Sequence, residues 1–197
     1  MIKAIICDFD GTLADTFTAN YHAYQKAFDE QGLTLTEETY RAAFGLRYDD
    51  FMRMMDIQDP QIAHDIRERK KELYPQYFHL LRPNKKLLDF VRAIRNSDIK
   101  TAIASTARKE NLQNVVTYLG IEKDFDLIQS GNDVRQGKPD PEIYVRVMES
   151  LHVRPEETLI FEDTEIGIQA AQASGAKCIQ VTNNWYSNLN GINRKGT

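Results

Sequence analysis

Asp8-Phe9-Asp10-Gly11-Thr12-Leu13-Ala14-Asp15-Thr16 follows directly on the apolar run Ala4-Ile5-Ile6-Cys7. A short apolar run closed by Asp and Gly reads as a buried strand that spills into a tight turn. Two carboxylates then stand where the strand ends. If the segment stays extended, Asp8 and Asp10 point to one side about 7 Å apart and, at an effective dielectric of about 20, repel by about 2.4 kcal/mol. A cation is therefore expected beside them. Hard oxygen ligands on a short, rigid turn suit Mg²⁺, whereas zinc would want Cys or His. An ordinary Asp-Gly turn with a solvated strand end is the plainer alternative. An EF-hand loop does not fit, because it needs Gly at its sixth position and Glu at its twelfth, and Gly11 comes fourth after a strand.

Beyond Thr16 the periodicity turns helical. Phe17, Tyr21, Tyr24 and Phe28 mark one apolar face, and Gly32 ends that helix. Thr34 with Glu37 reads as a capping box opening a second helix that stops near Gly45. The stretch from Tyr48 to Tyr77 predicts two more amphipathic helices with a break at Asp59-Pro60, and its charge run, Arg67-Glu68-Arg69-Lys70-Lys71-Glu72, reads as a solvated face. Residues 16–82 thus form a small helical unit with Arg82-Pro83-Asn84 as its exit.

From there strands and helices alternate. Asn84 can cap a helix carrying Leu87, Val91 and Ile94, and Ile99 to Ala104 reads as a strand. Leu112, Val115, Val116 and Leu119 mark a helix ended by Gly120. Asp126 to Gln129 is a short strand, and Asp140-Pro141 starts a helix that buries Tyr144, Val147, Met148 and Leu151. Thr158 to Phe161 is a strand, Thr164 to Ser174 a helix, and Lys177 to Val181 a last strand, followed by a polar tail from Asn183. The fold class is therefore α/β: a Rossmann-like parallel sheet with helices on both faces and an inserted small α-helical unit. Residues 1–15 and 83–197 form the core and 16–82 the insertion. Such sheets bind ligands at the carboxyl ends of their strands.

Three later stretches fall at that edge. Ala102-Ile103-Ala104-Ser105-Thr106 ends a strand in hydroxyl residues before a helix, where backbone N–H groups can hold phosphate oxygens, although Ser and Thr also cap helices. Gly137-Lys138-Pro139-Asp140-Pro141 holds a constrained cation. With Gly131 it imitates a P-loop, but the spacing is one residue too long and Pro139 replaces the metal-binding hydroxyl, so a nucleotide-triphosphatase reading fails. Leu159-Ile160-Phe161-Glu162-Asp163-Thr164 again ends a strand in carboxylates, with Asp163 as a plain helix cap the alternative.

Taken in chain order, Asp8-x-Asp10-Gly11-Thr12, Ser105, Lys138 and Glu162-Asp163 resemble the four motifs of the haloacid dehalogenase-like phosphotransferase superfamily. The segments around Lys138 and Glu162 resemble the branch that holds β-phosphoglucomutase and phosphoglycolate phosphatase, which carries a helical cap where residues 16–82 sit. The resemblance spans nearly the whole chain and implies a phosphoric monoester hydrolase. Asp8 is then the nucleophile that forms an aspartyl-phosphate and Asp10 the general acid and base. Mg²⁺ is held by Asp8, the carbonyl of Asp10 and Asp163, with Glu162 orienting a water behind them. Lys138 neutralises the transferring group, and Ser105 with backbone N–H groups near Gly11 and Thr106 holds its oxygens. In the cap loop Phe44 to Tyr48, Arg47 and Tyr48 face the substrate, and Arg47 can hold a second anionic group. The mutase pattern has an Arg and a His where this chain has Tyr48 and, within a residue or two, Asn20. A sugar-phosphate mutase and a degenerate, non-catalytic binding protein of the same fold are the alternatives. A phosphonoacetaldehyde hydrolase would need a Schiff-base Lys in the cap, for which Lys26 is the only candidate on the first cap helix.

The composition agrees with an ordinary globular chain. It has 197 residues, 42% of them hydrophobic, and a net charge of −4, which gives no reason to expect nucleic acid or an anionic membrane as partner. No apolar stretch approaches the length of a membrane span, and the first charges come too early for a signal peptide. A cytoplasmic monomer acting on a small phosphorylated metabolite is expected. Cys7 and Cys178 lie in strand-like segments and are expected as two free buried thiols. His22, His64, His79 and His152 have no metal-ligand spacing.

Overall fold

The computed structural model describes residues 1–95 and 97–182. Five strands form one parallel sheet: β1 (Ala4–Cys7), β4 (Lys100–Ala104), β5 (Leu127–Gln129), β6 (Thr158–Glu162) and β7 (Lys177–Gln180), in the order β5-β4-β1-β6-β7. The remaining two, β2 (Ala14–Asp15) and β3 (Arg82–Pro83), pair antiparallel with each other.

β1 lies at the centre, and all four of its residues are buried. The reason it reads as a continuous apolar run is that both of its faces are covered. Ile5 and Cys7 pack with Leu87, Leu88 and Val91 of α5 (Lys85–Ile94) and with Leu112, Val115 and Val116 of α6 (Lys109–Leu119). Ile6 points the other way, into a cluster with Tyr144 and Val147 of α7 (Glu142–Leu151) and Ala170 and Ala171 of α8 (Glu165–Ala173). Burying each such aliphatic side chain stabilises the fold by about 1.5–3 kcal/mol. Because the chain steps from β1 to β4 on one side and later to β6 on the other, the strand order reverses beside β1. That reversal opens a crevice at the carboxyl ends of β1, β4 and β6.

Between β2 and β3 lie α1 (Phe17–Glu30), α2 (Glu37–Ala43), α3 (Tyr48–Met54), α4 (Pro60–Leu73) and a 3₁₀ segment, Tyr74–Leu80. The chain therefore leaves and re-enters the sheet layer side by side, with Ala14 opposite Pro83 and the Asn84 amide donating to the Leu13 carbonyl at 2.8 Å. Neither this two-residue pair nor the 3₁₀ segment is visible in the periodicity. The cap of α2 is also corrected: Thr36, not Thr34, accepts from the Thr39 amide through its hydroxyl. Thr36 has the extended backbone a cap needs and is followed directly by Glu37 and Glu38, which favour the helix dipole. The break before α4 is as read, with the Asp59 carboxylate accepting from the Gln61 and Ile62 amides and Pro60 in the first turn.

Both thiols are free, but only Cys7 is buried; Cys178 is half-buried because β7 is the edge strand. Among the described residues no helix is long and apolar enough to cross a membrane. The tail from Asn183 lies outside the described residues.

Candidate active site

The carboxyl end of β1 turns instead of running on, so the extended spacing expected for Asp8 and Asp10 does not occur. The Asp8 amide donates to Phe161 of β6, and the Phe9 carbonyl accepts from both Leu13 and Ala14. Gly11 sits in this turn at φ +95°, where a Cβ would lie 2.1 Å from Asp163 Oδ2. Only glycine fits both the left-handed backbone and that approach. Thr12 then donates its hydroxyl to Asp163 Oδ1 at 2.8 Å, fixing the end of β6 against the turn after β1.

Lys138 enters this cluster from the loop before α7. Its ammonium lies 2.5 Å from Asp8 Oδ1 and 2.6 Å from Glu162 Oε1, and its side chain is 2% exposed. Glu162 also accepts from the amide and hydroxyl of Thr164. Both Glu162 oxygens are thus spent on Lys138 and on the start of α8, which corrects the expectation that it faces a water. Asp10 does not join this cluster through its side chain; the three gathered acids are Asp8, Glu162 and Asp163, each offering an oxygen within 4.8 Å of the others.

Three carboxylates gather around one ammonium, which pairs directly with two of them, Asp8 and Glu162. At 4.8 Å and an effective dielectric of about 20, each unscreened pair repels by about 3.5 kcal/mol. Burial first, and then the Glu162 charge, push the Asp163 carboxyl up to about 7. Burial likewise raises Asp8 far above the usual carboxylate range, against the opposing charge of Lys138. Burial also works against the Lys138 charge, but Asp8, Tyr144 and Glu162 outweigh it and hold the ammonium well above its ordinary value. The surplus of negative charge suits a divalent cation. The second oxygens of Asp8 and Asp163, which take no hydrogen bond from another side chain, are the ones left for it. An all-oxygen, acidic donor set fits Mg²⁺.

Asp10 faces a separate cavity between the sheet and the helical insertion. Its two oxygens accept from Thr16 at 2.6 Å and from Ser105 at 3.0 Å. Ser105 was expected to hold phosphate oxygens; here its one proton goes to Asp10, and its lone pair accepts from the Ala107 amide. The Thr106 hydroxyl leans on the carbonyl of Gly45 across the insertion boundary at 3.4 Å. The amides of Phe9, Asp10 and Thr106 have no acceptor among the described residues. All three residues line the cavity, and amides without a protein acceptor can hold an anion there.

The cavity walls are aromatic, with Phe9, Tyr24, Tyr40, Phe44, Tyr48 and Tyr74 among them. Its buried cation is Lys70, which no side-chain reading picked out. Lys70 is 4% exposed, with Nζ 3.7 Å from the Tyr74 ring centre and 5.0 Å from that of Tyr24, and burial lowers its pKa to about 7. It belongs to the run Arg67 to Glu72, so that run is not simply a solvated face: Arg67 also lines the cavity. The signal was in the spacing, because Lys70 falls on the buried stripe of α4 between Ile66 and Leu73. The cap lysine that reaches the cavity is therefore Lys70 rather than Lys26, which pairs with Glu30 at the surface. Asn20 joins the wall, donating to Thr16 O and to the Tyr74 hydroxyl.

Of the two cap residues expected at the substrate, Tyr48 lines the cavity and Arg47 does not. The Tyr48 ring lines the cavity, but its hydroxyl donates to the Ala63 carbonyl of α4. Arg47 points away from Asp10 and donates to the carbonyls of Gly131, Val134 and Arg135. A guanidinium beside three carbonyl acceptors is drawn to them by its fixed fork of donors.

Comparisons with known proteins agree with this geometry. The family model described as haloacid dehalogenase-like hydrolase matches residues 5–181. A phosphorylated carbohydrates phosphatase of Thermotoga maritima is 33% identical over 185 residues, covering 90% of this chain and 84% of the relative. The β-phosphoglucomutase of Bacillus subtilis is 25% identical over 190 residues, covering 91% and 83%. Among solved structures, CbbY from Rhodobacter sphaeroides in complex with phosphate superposes with a TM-score of 0.84 at 27% identity, covering 93% of this chain and 87% of that one.

Proposed function

Because this chain belongs to the haloacid dehalogenase-like hydrolase family, we propose that it is a Mg²⁺-dependent phosphatase of a small phosphorylated metabolite, of sugar phosphate or phosphoglycolate type, working through an aspartyl-phosphate on Asp8. One observation carries this reading. Asp8 meets Lys138 at the carboxyl ends of the strands, where the amides of Phe9, Asp10 and Thr106 have no acceptor among the described residues.

The transferring phosphoryl group sits on the amides of Phe9, Asp10 and Thr106, with the Lys138 ammonium offsetting its charge. The Asp8 carboxylate attacks phosphorus; the new Asp–O–P bond forms as the bond to the ester oxygen breaks. Asp10 gives its proton to the departing alkoxide, so that a neutral alcohol leaves. Water then attacks the same phosphorus, Asp10 takes its proton, and phosphate leaves Asp8 free for another turnover. Ser105 and Thr16 hold the Asp10 carboxylate toward the cavity that receives the leaving group. Asp8, Asp163 and the carbonyl of Asp10 would hold Mg²⁺, which when bound offsets the repulsion between an anionic nucleophile and an anionic substrate. Residues 16–82 act as a cap that keeps water from this cavity. Its aromatic walls, with Lys70 and Asn20 as polar points, favour a carbohydrate-sized leaving group over a two-carbon one. The similarity to a phosphorylated carbohydrates phosphatase supports that choice.

Phosphate release from a panel of monoesters with Mg²⁺ tests the reading, with Asp8→Asn as the control. Activity of the Asn variant within tenfold of wild type would remove the covalent step. The similarity to β-phosphoglucomutase keeps one rival reading in view. Transfer between hydroxyls of glucose phosphate, primed by a bisphosphate and faster than phosphate release, would favour it.

A further inference from the structure

We propose that Arg47 is a positioning residue: it latches the helical insertion onto the loop that delivers Lys138, so that closure of the cavity and placement of the catalytic ammonium are one event. The proposal rests on the phosphatase reading above for its consequence, though not for its geometry. Arg47 Nη1 lies 2.8 Å from the Arg135 carbonyl, and Nη2 lies 2.8 Å from that of Gly131 and 3.3 Å from that of Val134. These carbonyls belong to the segment that ends in Gly137-Lys138. The same segment is held from the opposite side, where Glu142 at the start of α7 accepts from the amides of Arg135 and Gln136, each at 2.9 Å. The loop is thus fixed by its N–H groups to the start of α7 and by its carbonyls to the insertion.

Gly137 completes the device. A Cβ there would lie 2.2 Å from Arg47 Cδ and 2.6 Å from Cγ, so the arginine stem crosses directly over the residue before Lys138. The contact is in mid-chain and the guanidinium beyond it is pinned, so a methyl group cannot be accommodated by a swing of the side-chain end. Other polar ties cross this boundary away from that loop, among them the Thr16 hydroxyl on Asp10 at 2.6 Å, the 3.4 Å contact from Thr106 to Gly45 and the exposed Lys71–Glu110 pair. Arg47 links the insertion to the loop of Lys138 through three charged-donor hydrogen bonds.

A latch and a subsite for a second anion make opposite demands on the substrate. Arg47→Ala, Gly137→Ala and the double variant are assayed for phosphate release from p-nitrophenyl phosphate, which has no second anion, and from a sugar bisphosphate. The latch predicts that Arg47→Ala lowers kcat at least tenfold on both substrates, with a smaller change in KM, and that millimolar guanidinium restores part of it. Gly137→Ala should lower kcat similarly, and the double variant should be no worse than Arg47→Ala, because the methyl then meets no arginine. A loss confined to the bisphosphate, or losses that multiply in the double variant, would overturn the proposal. Hydrogen exchange of the 131–138 segment gives a reading independent of turnover: amides there should exchange faster in Arg47→Ala than in wild type. Unchanged exchange overturns the latch even if the protein hydrolyses no ester, whereas faster exchange in an inactive protein would leave the latch standing and count against the phosphatase reading.

Discussion

Replacing Lys138 by Met keeps the stem and removes the charge, leaving Asp8 and Glu162 facing each other in a site where the lysine side chain is 2% exposed and the glutamate 1%. Removing one partner of a buried ion pair typically costs about 3–5 kcal/mol, and here two carboxylates lose the same partner, so the upper part of that range is expected. For a chain of this length each kcal/mol shifts Tm by about 2–4 °C, which places the loss at roughly 8–20 °C. The remaining acids should then hold protons more tightly than in the unfolded chain. A carboxyl whose folded pKa is raised contributes stability that falls as pH rises, so the deficit should be larger at pH 8 than at pH 5. Adding Glu162→Gln removes one of the stranded charges while keeping its volume, and should recover at least about 1 kcal/mol through the coupling of neighbouring sites. Thermal unfolding at the two pH values, without divalent ions, measures all three effects. A single variant within about 1 kcal/mol of wild type at pH 8 would mean that Lys138 is not the charge on which the acid cluster depends.

Two other outcomes bear on the site. Lys70→Met removes an ammonium whose pKa burial lowers from 10.5 to about 7; since the folded protein must bury that charge below pH 7 and is relieved of it as pH rises toward 10.5, the variant should gain more Tm at pH 6 than at pH 10, and a gain independent of pH refutes the buried charge. Chelation should abolish phosphate release and lower Tm; at Mg²⁺ concentrations 100 times the dissociation constant, removal of the ion costs about 2.7 kcal/mol, and Asp163→Asn should show no such Mg²⁺-dependent shift in Tm.

The sheet was legible because its chemistry is local. A strand covered on both faces carries a run of apolar residues, as at residues 4–7, 102–104 and 159–161, and polar residues at the carboxyl ends stand out against them. Nothing in the chain order, however, says that Asp8 shares Lys138 with Glu162, since the sharing depends on β1 lying beside β6. The insertion was less legible because its polar residues act against the pattern by which they are judged. Lys70 looks like one member of a solvated charge run until its place on the inward stripe of α4 is given weight. Thr16 stands directly before α1, yet its hydroxyl goes to Asp10 and not to the helix amides.

Arg47 shows where the limit lies. The residue type and its place on the loop between α2 and α3 permit either an anion or a backbone partner, because a guanidinium has donors for both. What decides is the curvature of a segment more than eighty residues away, which turns three carbonyls to one point, and the absence of a side chain on Gly137. In the folded protein that glycine leaves room for the arginine stem directly before the lysine. Gly11 works the same way, where the missing Cβ admits the Asp163 carboxylate to the turn that carries Asp8. At both ends of the acid cluster, then, the space left by a glycine lets a distant charged side chain approach a loop of the candidate site, and a methyl group at either position should disturb the site more than it disturbs the fold around it.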